Sequence, residues 1–495
     1  MAQSSGASGL PEGYDTPESY RNLDDVTAPP LHGAEGKLSG PAPGSHRRPS
    51  RAASERQARN IRRHSKSGAD YDVPDAYTNL NEVTGVSPVQ NPDEEPIHQY
   101  EFLEHVRAAD RQGSRHEALR RESGHQSTVP VEKEESKARV SRLATQVYTV
   151  SYLILFSLLG TLARLGLQTL TTYPGMPTNV PSHWPNFAGS FIMGFLTEDR
   201  MLFSDATPSN SPRNTTPNRS GDEEPNTPLQ LEAARKTHTT LKKTVPLYIG
   251  LATGFCGCFT SFSSFMRDLF LALSNDLTPT ASRNGGYSLA SVLAVLLTSI
   301  SLSLSALFVG AHLAIALEPF TPSLPYFFMR KVLDRIAVLL AFAGWLVAIL
   351  LCVFPPDDSW RGAATFALAF APLGCLMRFY VSLHLNSRIT GFPLGTFTVN
   401  VTGTTILGMA WDLAHVPLGG AVGCQVLQGV EDGFCGCLTT VSTWVVELST
   451  LRRKNAYIYG GASVGVGFGL VVAIVGGLKW GREAGFATLG CVHSL

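Results

Sequence analysis

Two short segments of the sequence place paired glycines directly before a dense run of hydroxyl side chains. They read GFCGCFTSFSSF from Gly254 and GFCGCLTTVSTW from Gly433. Serine and threonine hydroxyls can donate hydrogen bonds to an anion without adding charge. Glycine is unfavourable inside a helix, so the glycine pairs predict a helix break, whose freed backbone carbonyls suit a small hard cation. The chemistry offered by these segments is therefore the binding of small ions.

Each of these features also has a purely structural interpretation. Glycines let membrane helices pack closely, and a lone hydroxyl in a helix often donates to the carbonyl four residues earlier. Phe262 and Phe265 lie three residues apart on one helical face, where their positively polarised ring edges could meet an anion or simply pack in the core. The hydroxyls favour a functional role because each segment has four within five positions, namely Thr260, Ser261, Ser263, Ser264 and Thr439, Thr440, Ser442, Thr443.

The cysteines offer a second kind of chemistry, which we set aside. Two Cys-Gly-Cys triplets could bind a soft metal, yet neither is followed by a histidine or a carboxylate at ligand spacing. We interpret the cysteines of the apolar runs as small packing residues of membrane helices. They are Cys256, Cys258, Cys352, Cys375, Cys435 and Cys437.

The chain of 495 residues divides into a polar and an apolar part. Residues 1–143 are rich in Gly, Pro, Ser, Arg and Glu and lack a long apolar run, which predicts a disordered tail. A bilayer core needs about 20 apolar residues of helix. Beyond the tail the sequence predicts an all-α polytopic membrane protein with nine spans, at 147–171, 184–201, 245–273, 287–317, 333–354, 362–385, 393–414, 424–450 and 456–478.

Lysine and arginine accumulate on one side of these spans. Cytoplasmic loops hold the basic excess, so the tail is predicted to be cytoplasmic and the C-terminus extracellular. Asn214 and Asn218 match the glycosylation pattern, but this orientation puts them in a disordered cytoplasmic insert of about 202–243, where they stay unmodified. The basic flanks that decide the orientation are 137–142, 235–243, 329–335, 386–388 and 451–454.

The motifs around the two glycine pairs occur twice in the same order, which indicates a duplicated unit. The repeats cover 144–318 and 360–480, and a single span at 328–355 separates them. One span between two four-span units makes the second unit enter the membrane from the opposite side, so we predict inverted repeats and a linking helix that serves as a topology-inverting spacer. The paired residues outside the glycine segments are Arg164 and Arg378, Asn186 and Asn400, Tyr287 and Tyr459, and Ser291 and Ser463.

The two arginines lie in apolar segments, where a central charge costs at least about 2.5 kcal/mol. Arg164 and Arg378 could snorkel to the membrane surface. Alternatively, they could line a vestibule and give it a positive potential that concentrates anions. As functional residues we assign both to a vestibule.

Together the glycine segments, the asparagine followed by glycine and the G-x-x-x-R of each opening span resemble the CrcB/Fluc fluoride channels, in the two-domain form of eukaryotes. The resemblance covers about 145–480. It implies a structural sodium ion held by backbone carbonyls, which match Gly257, Thr260, Gly436 and Thr439. It also implies a fluoride pathway, whose residues match Asn186, Asn400, Phe262, Phe265, Ser263, Ser264, Ser291, Ser442, Thr443 and Ser463.

The second repeat departs from the family pattern at the aromatic positions. Where the family has two phenylalanines, this repeat has Val441 and Trp444. Both units contribute to each pore in the family, so the departure predicts two inequivalent pathways, one of them impaired. The residues do not indicate which pathway conducts.

The resemblance implies passive fluoride export that confers fluoride resistance. A negative-inside potential expels an anion by roughly 2.3 kcal/mol per 100 mV, so no energy-coupling site is required. The sequence has neither a phosphate-binding loop nor a nucleophile with a positioned base, so we predict a protein that is not an enzyme. We expect a multi-pass plasma-membrane protein that works as a single-chain monomer, with fluoride and lipid but no nucleic acid as partners.

Two other functions share some of these features. A proton-coupled anion transporter also uses inverted repeats and broken helices, but it needs a membrane-embedded carboxylate. The candidates Asp412, Asp432 and Glu447 all lie near span ends. A scaffold whose tail binds partners would give the duplicated segment no reason to exist.

Overall fold

The computed structural model describes residues 131–174, 176, 179–203, 242, 245–277, 284–325, 328–355, 361–389, 391–415 and 420–481. All regular structure within these ranges is helical. The tail up to residue 130 lies outside the described residues, as does the predicted insert from 204 to 241 with Asn214 and Asn218. The described part of the chain has the all-α architecture that the sequence predicts.

The first half of the described chain contains five helical elements, α1 to α5. Helix α1 begins at Val131, within the segment assigned to the tail. Element α3 is composite: two α-helical turns flank a π-helical segment that contains Gly254. The bounds are α1 Val131–Thr171, α2 His183–Glu198, α3 Pro246–Ile249 with Gly250–Cys256 and Gly257–Phe259, α4 Phe262–Ser274 and α5 Gly285–Ala316.

The second half, α7 to α11, follows a single helix, α6. Element α9 repeats the composition of α3, with a π-helical segment that contains Gly433. The bounds are α6 Met329–Leu333 with Asp334–Val353, α7 Arg361–Thr365 with Phe366–Leu385, α8 Leu394–Ala414, α9 Gly420–Gly429 with Val430–Cys435 and Gly436–Leu438, α10 Ser442–Thr450, and α11 Arg453–Val471 with Val472–Gly476 and Gly477–Gly481.

Six of the predicted spans are helices long and apolar enough to cross a membrane, judged by length and composition over the described ranges. The other three predicted spans are also helical. Helix α2 has only 16 residues, α8 carries several threonines and an asparagine, and the span at 424–450 contains three acidic residues. The chain is thus a membrane protein with several apolar helices. The six are Arg142–Thr171, Pro246–Ser274, Gly285–Ala316, Met329–Val353, Phe366–Leu385 and Arg453–Gly481.

A buried lysine closes the end of α2 next to the insert. The Nζ of Lys242 donates to the backbone carbonyls of Leu196 and Asp199, the latter at 2.5 Å, and lies 5.0 Å from the ring centre of Tyr248. Burial lowers the pKa of Lys242 to about 8. The last carbonyls of a helix lack partners within the helix, and the ammonium group of Lys242 supplies donors to two of them at the end of α2. Lys242 therefore connects the end of α2 to the residue at the far end of the insert.

Helix α6, predicted to be a spacer, is anchored to both halves of the protein. Tyr152 of α1 donates from its hydroxyl to Asp334 Oδ1 at 3.0 Å, and Trp345 donates from Nε1 to the carbonyl of Ala369 in α7 at 2.9 Å. Asp334 is fully buried. Small residues on the same stripe allow α6 to approach, namely Ala337, Ala341 and Ala348. The linking helix therefore joins the halves through side-chain contacts as well as through the chain.

We expect Asp334→Ala to destabilise the protein by about 1–3 kcal/mol, because it leaves the buried Tyr152 hydroxyl without its acceptor. Thermal unfolding in detergent measures this change. Tyr152→Phe should lower the melting temperature as well, since it removes the same hydrogen bond and leaves the buried carboxylate without this donor. An Asp334→Ala variant with the same melting temperature as the unchanged protein would contradict a structural role for this contact.

Candidate functional site

The helix breaks lie at the threonines rather than at the glycines. Thr260 and Thr439 have extended backbones, with φ/ψ of −97°/151° and −95°/154°. Gly257 and Gly436 are helical residues three positions earlier. The predicted break is thus present in both halves, but its position is corrected: the glycines belong to the preceding helical turn.

The two asparagines hold the extended residues at the breaks. Asn186 Oδ1 accepts from the amide of Ser261, and Asn400 Oδ1 accepts from the amide of Thr440, both at 2.9 Å. The Nδ2 group of Asn400 also donates to the carbonyl of Thr440 at 3.2 Å. Both asparagines are buried. Each side chain therefore pairs with the backbone as a neighbouring strand would, and replaces the helical hydrogen bonds lost at the break.

Each break caps the helix that follows the other break. Thr439 Oγ1 accepts from the amide of Ser263 at 3.1 Å, so the second half caps α4. In return, Thr260 Oγ1 accepts from the amides of Val441 and Ser442, at 3.2 and 3.1 Å, so the first half caps α10. The first amides of a helix need such acceptors. The threonines therefore interlock the halves by a reciprocal exchange of caps.

The two arginines are buried where the two halves of the protein meet. Arg164 and Arg378 are fully buried. Arg164 donates from Nε to the carbonyl of Cys258 at 3.1 Å and from Nη2 to the carbonyl of Asp432 in the other half. Arg378 makes the mirrored contacts, to the carbonyls of Cys437, at 3.0 Å, and Thr253. Both guanidinium groups are enclosed and bind backbone carbonyls, so neither arginine snorkels to the membrane surface. The vestibule role assigned to them stays a prediction.

In both halves the glycine lies three residues before the break, and this shared spacing has a steric cause in the two arginines. A Cβ atom on Gly257 would lie 2.2 Å from both Nη atoms of Arg378, and one on Gly436 would lie 2.2 Å from Nη1 of Arg164. Only glycine leaves room for a guanidinium at these positions. Each glycine therefore leaves the space in which the guanidinium group from the opposite half packs.

The predicted hydroxyl residues around the breaks form one buried network. Ser261 Oγ lies 2.9 Å from Ser264 Oγ and accepts from the amide of Ser264 at 3.2 Å. Ser263 Oγ lies 3.0 Å from Thr439 Oγ1 across the two halves. Ser442 and Thr443 are buried in the corresponding place of the second half. A hydroxyl group can rotate from one neighbour to another, so the network can donate hydrogen bonds to a small anion without a change in the backbone.

The aromatic residues from both halves meet beside this network. The ring centre of Phe262 lies 5.9 Å from that of Phe265 and 5.4 Å from that of Trp444, with interplanar angles of 90° and 68°. All three rings and Val441 are buried. Edge-to-face contacts direct the positive ring edge of one residue toward the face of another. Beside the hydroxyl network, Phe262 thus contacts an aromatic ring of its own half and one of the other half.

The structure corrects the pairing of the last predicted serines. Tyr459 and Ser463 are buried in α11, and the Oγ of Ser463 donates to the carbonyl of Tyr459 at 2.8 Å. Tyr287, by contrast, is 64% exposed and Ser291 is only partly buried. The buried positions of α5 and α11 repeat every four residues and match as Val295 with Tyr459, Ser299 with Ser463 and Ser303 with Gly467. Ser299 therefore takes the place assigned to Ser291, two helical turns further along.

Two buried carboxylates near the site were not assigned to it from the sequence. Glu447 accepts from the hydroxyls of Thr396, at 2.7 Å, and Tyr459, at 2.5 Å. Asp268, at the matching position of α4, accepts from the amide of Ser182 at 3.1 Å. The signal was present in the repeat, since MRDL and VVEL end the two segments with an acid at the same position.

The backbone at the breaks fits the implied sodium ion. The amide of Ser261, which would donate to the carbonyl of Gly257 in a continuous helix, donates to Asn186 instead. The amide of Thr440 is diverted from Gly436 in the same way. The amides of Ser264 and Thr443 donate to side chains rather than to the carbonyls of Thr260 and Thr439. Four carbonyls thus lose their helical donors at two breaks in mutual contact, and such oxygens suit a small hard cation.

Fold and site together define a helical membrane protein of two related halves, whose broken helices interlock around a buried site for small ions. The chain matches the family model described as CrcB-like protein, Camphor Resistance (CrcB), over residues 151–311 and 365–477. It belongs to this CrcB-like family.

Named relatives agree with this assignment. The fluoride export protein 1 of Neurospora crassa is 52% identical over 97% of this chain and 93% of its own length. The fluoride export protein 1 of Candida albicans is 33% identical over 65% of this chain and 77% of its own. A bacterial fluoride-specific ion channel FluC, from Acinetobacter baylyi, is 40% identical over 18% of this chain and 67% of its own. No solved structure matches the chain.

Proposed function

We propose that this protein is a passive fluoride channel that exports fluoride from the cytoplasm. Its relatives are named fluoride export proteins and fluoride-specific channels. The observation that carries the proposal is the buried, uncharged network of hydroxyls and ring edges that both halves build at the breaks. Such donors can replace the water around a fluoride ion yet hold it weakly enough for release. The protein carries out no chemical reaction and is not an enzyme.

The proposed topology is that of two inverted repeats within nine spans. The reciprocal caps of Thr260 and Thr439, and the mirrored contacts of Arg164 and Arg378, are those expected of halves related by an approximate two-fold axis. The basic flanks place the tail in the cytoplasm and the C-terminus outside. One chain supplies both halves, so a single-chain monomer in the plasma membrane is sufficient.

Two unequal pathways follow from this arrangement. Helix α4 packs against α8 and α11, and we assign the buried residues Phe262, Asn400 and Ser463 of these helices to a first pathway. Helix α10 packs against α2 and α5, and we assign the buried residues Asn186 and Ser299, with Val441 directly before α10, to a second pathway. The first pathway has Phe262 and, four residues before its serine, Tyr459. The matched positions of the second pathway are both valines, Val441 and Val295. We propose that the first pathway carries most of the fluoride flux.

Fluoride efflux from proteoliposomes tests this function. A channel gives electrogenic, fluoride-selective flux that exceeds chloride flux and persists when a protonophore collapses the proton gradient. A proton-coupled transporter remains the alternative, but its best carboxylate, Glu447, already accepts two hydroxyl hydrogen bonds. Flux that stops when the proton gradient is collapsed would reject the channel.

The break carbonyls of Gly257, Thr260, Gly436 and Thr439 would hold the sodium ion, which would supply positive charge between the two halves. We expect replacement of sodium by a large organic cation to lower both the melting temperature and the fluoride flux, because the four carbonyls then lose a partner. Titration of sodium chloride against a constant total salt concentration, followed by thermal unfolding, measures the effect. Equal stability in both salts would argue against a bound cation at the breaks.

A further inference from the structure

The helices that carry the two asparagines each hold a further buried hydroxyl group, one turn along the chain. Ser190 follows Asn186 by four residues in α2, and Thr404 follows Asn400 by four residues in α8. Residues four apart lie on the same face of a helix. Both hydroxyl side chains are fully buried. Each half therefore presents a hydroxyl group on the helix face that carries its asparagine.

These two hydroxyl groups have no hydrogen-bond partner within the described part of the chain. Other threonines of the same helices donate to the carbonyl four residues earlier: Thr398 and Thr405 do so at 2.7 and 2.9 Å, and Thr197 at 3.0 Å. Such a bond is the ordinary way in which a helix satisfies a buried hydroxyl. Ser190 and Thr404 do not make it, so their protons are available to a ligand that accepts hydrogen bonds.

The glycines directly before these residues bring the same helical turns against the breaks. A Cβ atom on Gly403 would clash with the side chain of Thr439, and one on Gly189 would clash with that of Thr260. Only glycine allows so close an approach. Both threonines belong to the buried hydroxyl network. The turns that carry Ser190 and Thr404 therefore lie against the proposed ion site.

The asparagines themselves have few hydrogen-bonding groups left for an ion. Asn400 accepts from the amide of Thr440 with Oδ1 and donates to the carbonyl of the same residue with Nδ2. Asn186 pairs with the backbone of Ser261 through the same two atoms, at 2.9 and 3.5 Å. One N–H of each side-chain amide remains. The hydroxyl group of the next turn adds a second free donor on the same face.

We propose that Thr404 and Ser190 each form a further fluoride-binding position, one helical turn beyond the asparagine of the same helix. This proposal rests on the proposed function. An uncharged hydroxyl donates a single hydrogen bond, so it holds the anion weakly enough for it to move on to the next donor, as conduction requires. Thr404 belongs to the first pathway, because α8 packs against α4, and Ser190 belongs to the second, because α2 packs against α10. In the proposed topology Thr404 lies on the extracellular side of Asn400.

Thr404→Val should raise the fluoride concentration that gives half-maximal flux by about tenfold. Valine has nearly the shape of threonine but no hydroxyl, so one hydrogen bond to the ion is lost. The melting temperature should stay the same or rise, because the change removes a buried polar group that has no partner among the described residues. Thr404→Ser keeps the hydroxyl and should keep the half-saturation of the unchanged protein. A purely structural threonine would give the reverse, with a lower melting temperature and the same half-saturation.

The measurement is fluoride flux against fluoride concentration in proteoliposomes, together with thermal unfolding in detergent. Thr405→Val is the matched control in the same helix, because the Thr405 hydroxyl already donates to the carbonyl of Val401. It should leave the half-saturation unchanged. Ser190→Ala removes the corresponding hydroxyl from the second pathway and should change the total flux little.

Unchanged half-saturation in Thr404→Val overturns the proposed position and indicates a hydroxyl that binds water only. If the valine variant does not fold, Thr404→Ala removes the same hydroxyl from a smaller side chain and is judged by the same criterion. A loss in Thr405→Val as large as that in Thr404→Val would also overturn the proposal, because the effect would then belong to the helix rather than to the free hydroxyl. An unchanged protein without fluoride flux overturns the proposed function instead.

Discussion

Replacing Phe262 with isoleucine should reduce fluoride efflux by about tenfold or more, whereas replacing Trp444 with phenylalanine should leave most of it. The Phe262 ring connects the aromatic residues of the two halves and lies in the proposed first pathway. Isoleucine fills a similar volume but has no positively polarised ring edge. Phenylalanine at position 444 keeps a ring and removes an indole N–H that is buried without a hydrogen-bond partner among the described residues.

Efflux from proteoliposomes and growth of fluoride-sensitive cells that carry each variant both measure this difference. Val441→Phe is an informative companion, because it restores to the second pathway the ring that the matched position has in the first. We expect it to leave flux unchanged or to raise it. Equal losses from Phe262→Ile and Trp444→Phe would contradict the ranking of the two halves.

The second large effect is expected from Gly257→Ala. Its methyl group would lie 2.2 Å from both Nη atoms of Arg378. A flexible arginine could move aside at the surface, but this one is 1% exposed and donates to backbone carbonyls of both halves. Displacing it leaves a buried charge without its acceptors, which costs about 3–5 kcal/mol. We therefore expect little folded protein.

Yield of monodisperse protein after size-exclusion chromatography, and the melting temperature of any that is recovered, measure this loss. Gly461→Ala is the matched control, because a Cβ atom there meets nothing within 4 Å. Gly436→Ala should reproduce the defect through Arg164. A Gly257→Ala protein that folds as well as the Gly461→Ala protein would show that the guanidinium has room to move.

Local patterns predicted much of the helical architecture because a membrane helix can be recognised from a short apolar run of sequence. The apolar runs gave the class, and the duplicated glycine segments gave the two halves. The six apolar helices long enough to span a membrane all fall on predicted spans. The helical break followed from glycine spacing to within three residues, because glycine and hydroxyl residues weaken a helix wherever they occur.

The contacts that give these residues their roles could not be predicted in the same way. Arg164 and Asp432 are separated by 268 positions in the chain, and no local pattern states that they meet. The same holds for Thr260 and Ser442, which lie 182 positions apart. The repeated spacing from a tyrosine predicts Ser291, yet the burial of α5 favours Ser299. Helix periodicity leaves such a shift of two turns undetermined, since both serines lie near one face.

The sequence by itself therefore determined the class of protein, its duplication and the residue types of the ion site. These depend on composition and spacing over a few helical turns, where local physical chemistry decides the outcome. Only the tertiary structure decided that the arginines are buried between the two halves, that each packs against a glycine of the opposite half and that the threonines cap the opposite helices. Those roles arise from the crossing of two halves, so they exist only once both halves have folded against each other.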